Sequence, residues 1–451
     1  MSRIARIARL LAVSAVAAVL VLLLGVIFNG TRSAFSASAK PPSRDAQQAK
    51  TSNALWLQGR KVFRYATFGD EKFWGGSLQL QKAIEGAKLG GVGGGVSPKT
   101  ALALGLKVDS TALPASVVAA VKAGKVDLDS PATTLALLKL NAVVGVKGFF
   151  NKGGTLSSIG ITCALCHSTV DNSFAPGIGK RLDGWPNRDL NVGAIINAAP
   201  DHSALTNLLG VDNATLGKVL NSWGPGKFDA EVSFDGKAFR PDGKTGAVLI
   251  PAAFGLAGVN LATYTGWGSV TYWNALVANL EMHGQGNFHD ARLDDATQFP
   301  IAAKAGFGHT THNPDLVSGD LPALHFYQLG LKAPAPPAGS FDKAAAARGK
   351  AIFNGQGRCS SCHMAPTYSE PGQNLHKPSE ICTDSFTADR SPTHMYRTTP
   401  LAGLSARTKG GYYHDGRYPT LLSVVQHYNS CLDLKLSGGQ MNDVVQFLKS
   451  K

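Results

Sequence analysis

Four of the six cysteines in this 451-residue chain fall in two pentads, Cys163-Ala164-Leu165-Cys166-His167 and Cys359-Ser360-Ser361-Cys362-His363. Each pentad sets two thiols about one helical turn apart and places an imidazole directly after the second. That spacing is the attachment signature of a c-type haem: the thiols add to two vinyl groups, and the adjacent histidine is delivered to the iron as an axial ligand. A zinc site would need the two Cys-x-x-Cys pairs to meet across the long stretch between them, and a histidine beside a cysteine cannot easily share their ion. A thioredoxin-like redox motif needs a βαβ pattern, which surrounds neither pentad. The expectation is two covalent haems, with Cys163, Cys166, Cys359 and Cys362 as attachment points and His167 and His363 as proximal iron ligands.

The start of the chain agrees with export. Arg3, Arg6 and Arg9 precede a charge-free apolar run from Leu10 to Phe28, and Ala37-Ser38-Ala39 offers a small-residue cleavage site. The run is long for a signal core and just sufficient to span a bilayer, so residues 1–39 read as a signal peptide or as a retained N-terminal anchor. Either way the positive-inside rule puts residues after Lys40 outside the cytoplasm, in the periplasm or facing it from the inner membrane. In that oxidising compartment the leftover pair, Cys382 and Cys431, is expected to form a disulfide. Such a loop of about fifty residues would gain about 4 kcal/mol in the chain-entropy model. Two separate free thiols is the alternative.

Composition limits the function further. Hydrophobic residues make up 44% and charged residues 16%, which excludes wholesale disorder and a coiled coil. The net charge is +14, yet no run of five like charges occurs and basic residues do not interleave with aromatics, so nucleic acid is not expected as a partner. A basic face that steers an acidic redox partner protein is the functional reading; a generally basic exported protein is the plainer one. The 51 glycines and 23 prolines predict long irregular connections.

The fold class expected is mostly α: tandem cytochrome c-like haem domains with long irregular loops and an N-terminal helical extension. Residues 40–135 are the extension, 136–335 the first haem domain and 336–451 the second, with the boundary at Ala333-Pro334-Ala335-Pro336-Pro337. Apolar spacing predicts two helices within 52–88, a Gly-rich loop from Gly90 to Ser97, and helices at 114–123 and 131–141, the last with Ser130 as cap and Pro131 as first residue. A hairpin is expected around Asp235-Gly236 or Asp242-Gly243. Asp342 should cap a helix from Lys343 to Phe353 that leads into the second pentad. A proline-started helix at 419–429 and a terminal helix near 440–450 close the chain.

The C-terminal segment resembles the bacterial diheme cytochrome c peroxidases and the methylamine-dehydrogenase-maturing diheme enzymes. The residues that carry the likeness are Ala344 to Phe353 with Arg348-Gly349, the pentad Cys359 to His363, and Tyr396-Arg397-Thr398-Thr399-Pro400-Leu401. Tyr412-Tyr413-His414-Asp415-Gly416 and Thr420-Leu421-Leu422-Ser423-Val424-Val425 follow in the same order. The N-terminal half matches that family only at its own pentad; Phe68-Gly69-Asp70-Glu71-Lys72-Phe73-Trp74 is more similar to the diheme rubber oxygenases.

What each haem can do depends on its sixth ligand, since two strong ligands favour electron transfer and an open site permits peroxide or oxygen chemistry. Beyond Met1 the methionines are Met282, Met364, Met395 and Met441. For the first haem Met282 competes with His202, His283 and His289, and with no protein ligand at all. For the second, Met364 touches the proximal histidine and cannot reach the opposite face. The peroxidases' distal methionine corresponds to Tyr428, next to His427, and the maturation enzymes resemble this chain in carrying a tyrosine there; Met395 is the alternative. His414 is expected to act as a hydrogen-bonding structural residue, with iron ligation as the alternative. Two functions remain: electron transfer through two haems, or a peroxidase-like or oxygen-activating oxidoreductase with an open first haem. The second needs an acid–base group above that haem, for which Glu231, Glu281 and His202 are candidates.

Overall fold

The computed structural model describes residues 43–451, so the apolar run and the cleavage site at 37–39 lie outside the described residues. Residues Ala54–Lys451 form one compact unit. No helix among the described residues is long and apolar enough to cross a membrane. Among the described residues helix predominates, and the strands form two-stranded sheets only.

The first long helix, Arg44–Tyr65, buries Gly59, Val62 and Phe63, a three-to-four spacing that presents one stripe inward. At Gly59 a Cβ would collide with the Ala323 carbonyl of the helix Leu321–Gly330. Trp56 and Phe63 then close on Tyr327 with ring centroids 4.6 and 5.6 Å away. The helix starts earlier than its apolar residues indicate, because its first turns are polar and carry no periodic signal.

Helices Ala115–Lys122 and Pro131–Lys139 form where the sequence predicts them, although the Ser130 side chain makes no capping bond. The loop through the Gly-rich stretch ends at Ser97, whose hydroxyl accepts from the Thr100 amide and starts a short helix, Pro98–Ala103. An unexpected antiparallel hairpin follows. Val146–Phe150 pairs with Leu156–Ile161, and a register shift at Phe149/Phe150 breaks the period-two alternation that marks a strand in sequence. This hairpin delivers the chain directly to the first pentad.

Of the two expected hairpin positions, the structure uses Asp242-Gly243. Phe239 bridges Thr245, and Gly243 adopts φ +77° and donates its amide to the Arg240 carbonyl. Asp235-Gly236 instead terminates the short helix Val232–Asp235, with Gly236 in the left-handed conformation.

The C-terminal part is built on two crossed helices. Lys343–Asn354 starts where Asp342 accepts from the Ala345 amide at 2.9 Å. It packs on Gly438–Lys449, which is opened by a capping box between Ser437 and Gln440. Phe353 and Phe447 meet edge to face at 4.9 Å inside the crossing. The helix expected at 419–429 runs from Leu421 to Cys431; Pro419 lies outside it, and Thr420 with Ser423 forms the capping box that sets its start.

Stretches expected as separate haem domains are tied together within the Ala54–Lys451 unit. Arg390, 2% exposed, is fixed between Asp229 and Asp235 by contacts of 2.9 and 2.8 Å. The Leu249 amide donates to the His414 carbonyl, and the Arg397 amide donates to that of Tyr264.

Candidate functional site

Both pentads are short turns braced by their own backbone. At the first, the strand Leu156–Ile161 ends, the Leu165 amide donates to the Thr162 carbonyl and the His167 amide to that of Cys163. One helical turn, Ala164–His167, results, with Cys163 at its cap. At the second, Arg358 takes φ +53°, a 3-10 turn covers Cys359–Ser361, and the His363 amide donates to the Cys359 carbonyl at 2.9 Å. All four thiols are unpaired.

The two imidazoles are held in the same way. His167 Nδ1 lies 3.1 Å from the Pro251 carbonyl oxygen, and His363 Nδ1 lies 2.9 Å from that of Tyr368. A carbonyl only accepts, so each Nδ1 carries the proton and each Nε2 keeps a free lone pair. Burial pushes His167 down to about 4 and lowers His363, which favours the neutral ring in both. Burial also pushes the Cys163 and Cys166 thiols up to about 12 and Cys359 to about 11. Among the described residues no cluster of metal-ligating groups contains both Cys-x-x-Cys pairs.

An internal cavity of about 320 Å³ opens at the first pentad. Cys163, Cys166, His167, Met282, Glu231 and Glu281 line it together with many apolar side chains. Met282 is 3% exposed and packs in a core with Val62, Phe63 and Ala164. Its expected competitors do not line the cavity. His202 turns Nε2 to the Ile196 carbonyl, His283 stacks on Phe73 at 3.5 Å, and His289 pairs with His309 on an exposed sheet. Glu231 and Glu281 do reach the cavity. Burial, opposed by the Arg390 charge, pushes Glu231 up to about 7, and burial next to Glu231 holds Glu281 well above the carboxylate range. Glu281 Oε1 is sealed from solvent without a hydrogen-bond partner.

At the second pentad Tyr428 projects from the helix Leu421–Cys431 into the apolar cluster that also holds Cys359 and Phe353. Burial raises its phenol, and the nearby Cys362 and Cys359 add to that. The His427 ring meets Tyr413 edge-on at 5.6 Å, and its Nε2 is sealed without a partner. Met364 is 41% exposed. His414 does not make the expected side-chain hydrogen bond through Nε2: that atom is sealed, 3.8 Å from the Asp384 carboxylate, and the ring stacks on Tyr396 at 5.0 Å. Cys382 and Cys431 are joined as a disulfide with Cα atoms 6.3 Å apart, fastening the irregular loop to the end of the Leu421–Cys431 helix.

Two half-buried guanidiniums stand outside these expectations. Arg397 lines the cavity, and Arg407 sits on the 3-10 turn Leu404–Arg407; neither has a carboxylate partner among the described residues. Arg397 stood within the quoted Tyr396–Leu401 motif, but nothing in linear sequence marks an arginine as half-buried and unpaired.

No protein-family model matches this chain, and no curated protein matches it. A solved chain of Kuenenia stuttgartiensis hydrazine synthase, from a xenon-pressurised structure, is similar over 46% of this chain and 72% of that one. The identity is 16% and the TM-score 0.26, a likeness too low to bear on fold or function here.

Proposed function

We propose that this chain is an exported c-type cytochrome that holds two covalent haems and transfers electrons between redox partners outside the cytoplasm. The observation that carries this reading is the repeated geometry of the pentads: two free, neutral thiols on one turn and a neutral imidazole whose Nδ1 is held by a carbonyl, leaving Nε2 for a metal. This donor set suits a thioether-linked haem and is poor for zinc. Bound haem supplies one-electron exchange, and peroxide or oxygen chemistry where an axial position is open. Cys163, Cys166, Cys359 and Cys362 would hold the two groups, His167 and His363 would ligate their iron, and Tyr428 and His427 would be the candidates for a further ligand at the second. The Phe353–Phe447 helix crossing beside the second pentad supports a cytochrome c-like arrangement there. The excess of basic residues suits an acidic partner protein in the periplasm. Contact with the membrane would run only through residues 10–28.

A second reading, peroxidase-like catalysis at the first pentad, is favoured by one observation. Glu281, whose carboxyl burial raises and whose Oε1 has no partner, and Glu231, which burial pushes up to about 7, face the same cavity as His167. They can hold and release a proton beside a bound oxidant while the apolar lining excludes water.

The test is the haem content of the full chain matured in a competent periplasm. Mass spectrometry should find two haems on the wild type, fewer on Cys163→Ser or Cys359→Ser, and two on Cys382→Ser. Fewer than two on the wild type would sink the assignment. An optical spectrum of the oxidised protein then separates the readings, because a high-spin band marks an open iron.

A further inference from the structure

Away from both pentads, the strand Phe288–His289 pairs antiparallel with His309–Thr310, and His289 stands directly opposite His309. Partners in register carry their side chains to the same face, and both residues are exposed. Their Nδ1 atoms are 3.1 Å apart, with ring centroids at 4.7 Å. On its other side His309 places Nε2 2.6 Å from a carboxylate oxygen of Asp294. A carboxylate accepts, so His309 carries its proton on Nε2 and turns the lone pair of Nδ1 toward His289. His289 Nδ1 donates its own proton into that lone pair.

Two imidazole nitrogens bound to one divalent ion at about 2.0–2.1 Å stand about 2.9–3.4 Å apart, from square-planar to tetrahedral geometry. The 3.1 Å between the two Nδ1 atoms falls inside that range without any movement of the strands. Asp294 supplies what such ligands ordinarily carry behind them, a carboxylate on the far nitrogen that fixes the tautomer and strengthens the donor. We propose that His289 and His309 form a surface site for a divalent transition ion of the zinc or copper class, with Asp294 as the outer carboxylate and water completing the coordination. On binding, the His289 proton passes from Nδ1 to Nε2, and both Nδ1 lone pairs go to the ion. Hard ions such as magnesium prefer oxygen donors and do not compete. The ion ties the two strands together and closes residues 290–308, whose Phe299 and Ala302 pack in one core with Phe234. The site is independent of the pentads and rests on neither reading of their function.

The test is calorimetric titration of the full chain, matured in a competent periplasm and stripped with chelator, with zinc chloride. The wild type should take up one zinc ion more than His289→Ala or His309→Ala. These variants leave every cysteine in place, so uptake by thiols is common to all samples and cancels in the comparison. Asp294→Ala should keep the extra ion but bind it at least about tenfold more weakly, and Asp294→Asn, which keeps an acceptor for Nε2, should lose less. Magnesium chloride should reveal no difference between wild type and variants. Equal zinc stoichiometry and affinity in the wild type and both histidine variants would overturn the site and leave a plain imidazole–imidazole hydrogen bond; a difference of the same size with magnesium would overturn the ion class. Thermal scans guard against misfolded variants. Without zinc all midpoints should agree, because both histidines are exposed, and excess zinc should raise that of the wild type more than those of the histidine variants. An equal rise in all three would again overturn the site.

Discussion

Gly349 and Asp443 meet backbone against backbone where the helices Lys343–Asn354 and Gly438–Lys449 cross, and the Asp443 carbonyl leaves no room for a Cβ on Gly349. Alanine is ordinarily about 1 kcal/mol better than glycine inside a helix. Here the clashing atom belongs to a helix backbone and cannot swing aside, so overpacking wins. Gly349→Ala should destabilise the protein by about 2 kcal/mol in urea unfolding. An unchanged or raised midpoint would mean that the helices separate without cost.

Arg390→Met leaves Asp229 and Asp235 buried without their counter-charge. Removing one partner of a buried ion pair costs about 3–5 kcal/mol, more than the added apolar packing returns. The loss should be large at pH 7 and smaller at pH 5, because protonation relieves the stranded carboxylates. Urea titrations at the two pH values measure it; a loss independent of pH would point to packing instead.

Asp70 is wholly buried and accepts from the Ile161 amide at 3.2 and 3.3 Å. Burial pushes its carboxyl up to about 9, against about 3.9 in an unfolded chain. The folded chain thus keeps a proton that the unfolded chain releases between about pH 4 and pH 9, and stability falls as pH rises through that window. Asp70→Asn retains an acceptor for Ile161 and does not titrate. Its thermal midpoint should therefore decline less than that of the wild type between pH 5 and pH 9. Parallel declines would place the pH dependence elsewhere.

Carbon monoxide and cyanide should bind one haem of the loaded protein, and Met282→Ala should keep that binding, since Met282 already packs in an apolar core. Tyr428→Phe should instead change the spectrum and potential of the second haem. If both irons prove low-spin and ignore every small ligand even after partial reduction, the peroxidase-like reading falls and plain electron transfer remains.

Local signals were the legible ones. Asp342 before an alanine-rich run, Pro131 at a first turn and the apolar spacing of Val444, Val445, Phe447 and Leu448 each set an element through contacts within a few residues. The Val146–Ile161 hairpin was not legible, because its bulge disrupts alternation and its core contacts come from other elements, Leu138 of the preceding helix and Trp74 from far back in the chain. The start of the Leu421–Cys431 helix was misplaced because Pro419 competes in sequence with the Thr420 capping box, and only the side-chain hydrogen bonds decide between them.

For the candidate site the same division holds. The sequence alone determined which atoms can bond to a cofactor, because thiols and imidazole in a five-residue pentad are fixed by covalent spacing. Tertiary structure decided how those atoms are presented. Pro251, distant in sequence, holds His167 Nδ1; the cavity admits Glu231, Glu281 and Met282 and excludes His202 and His289; and Arg397 with Arg407 is left without an acid. Protonation state and ligand access depend on burial and on charges brought near by the fold, and neither is a property of adjacent residues.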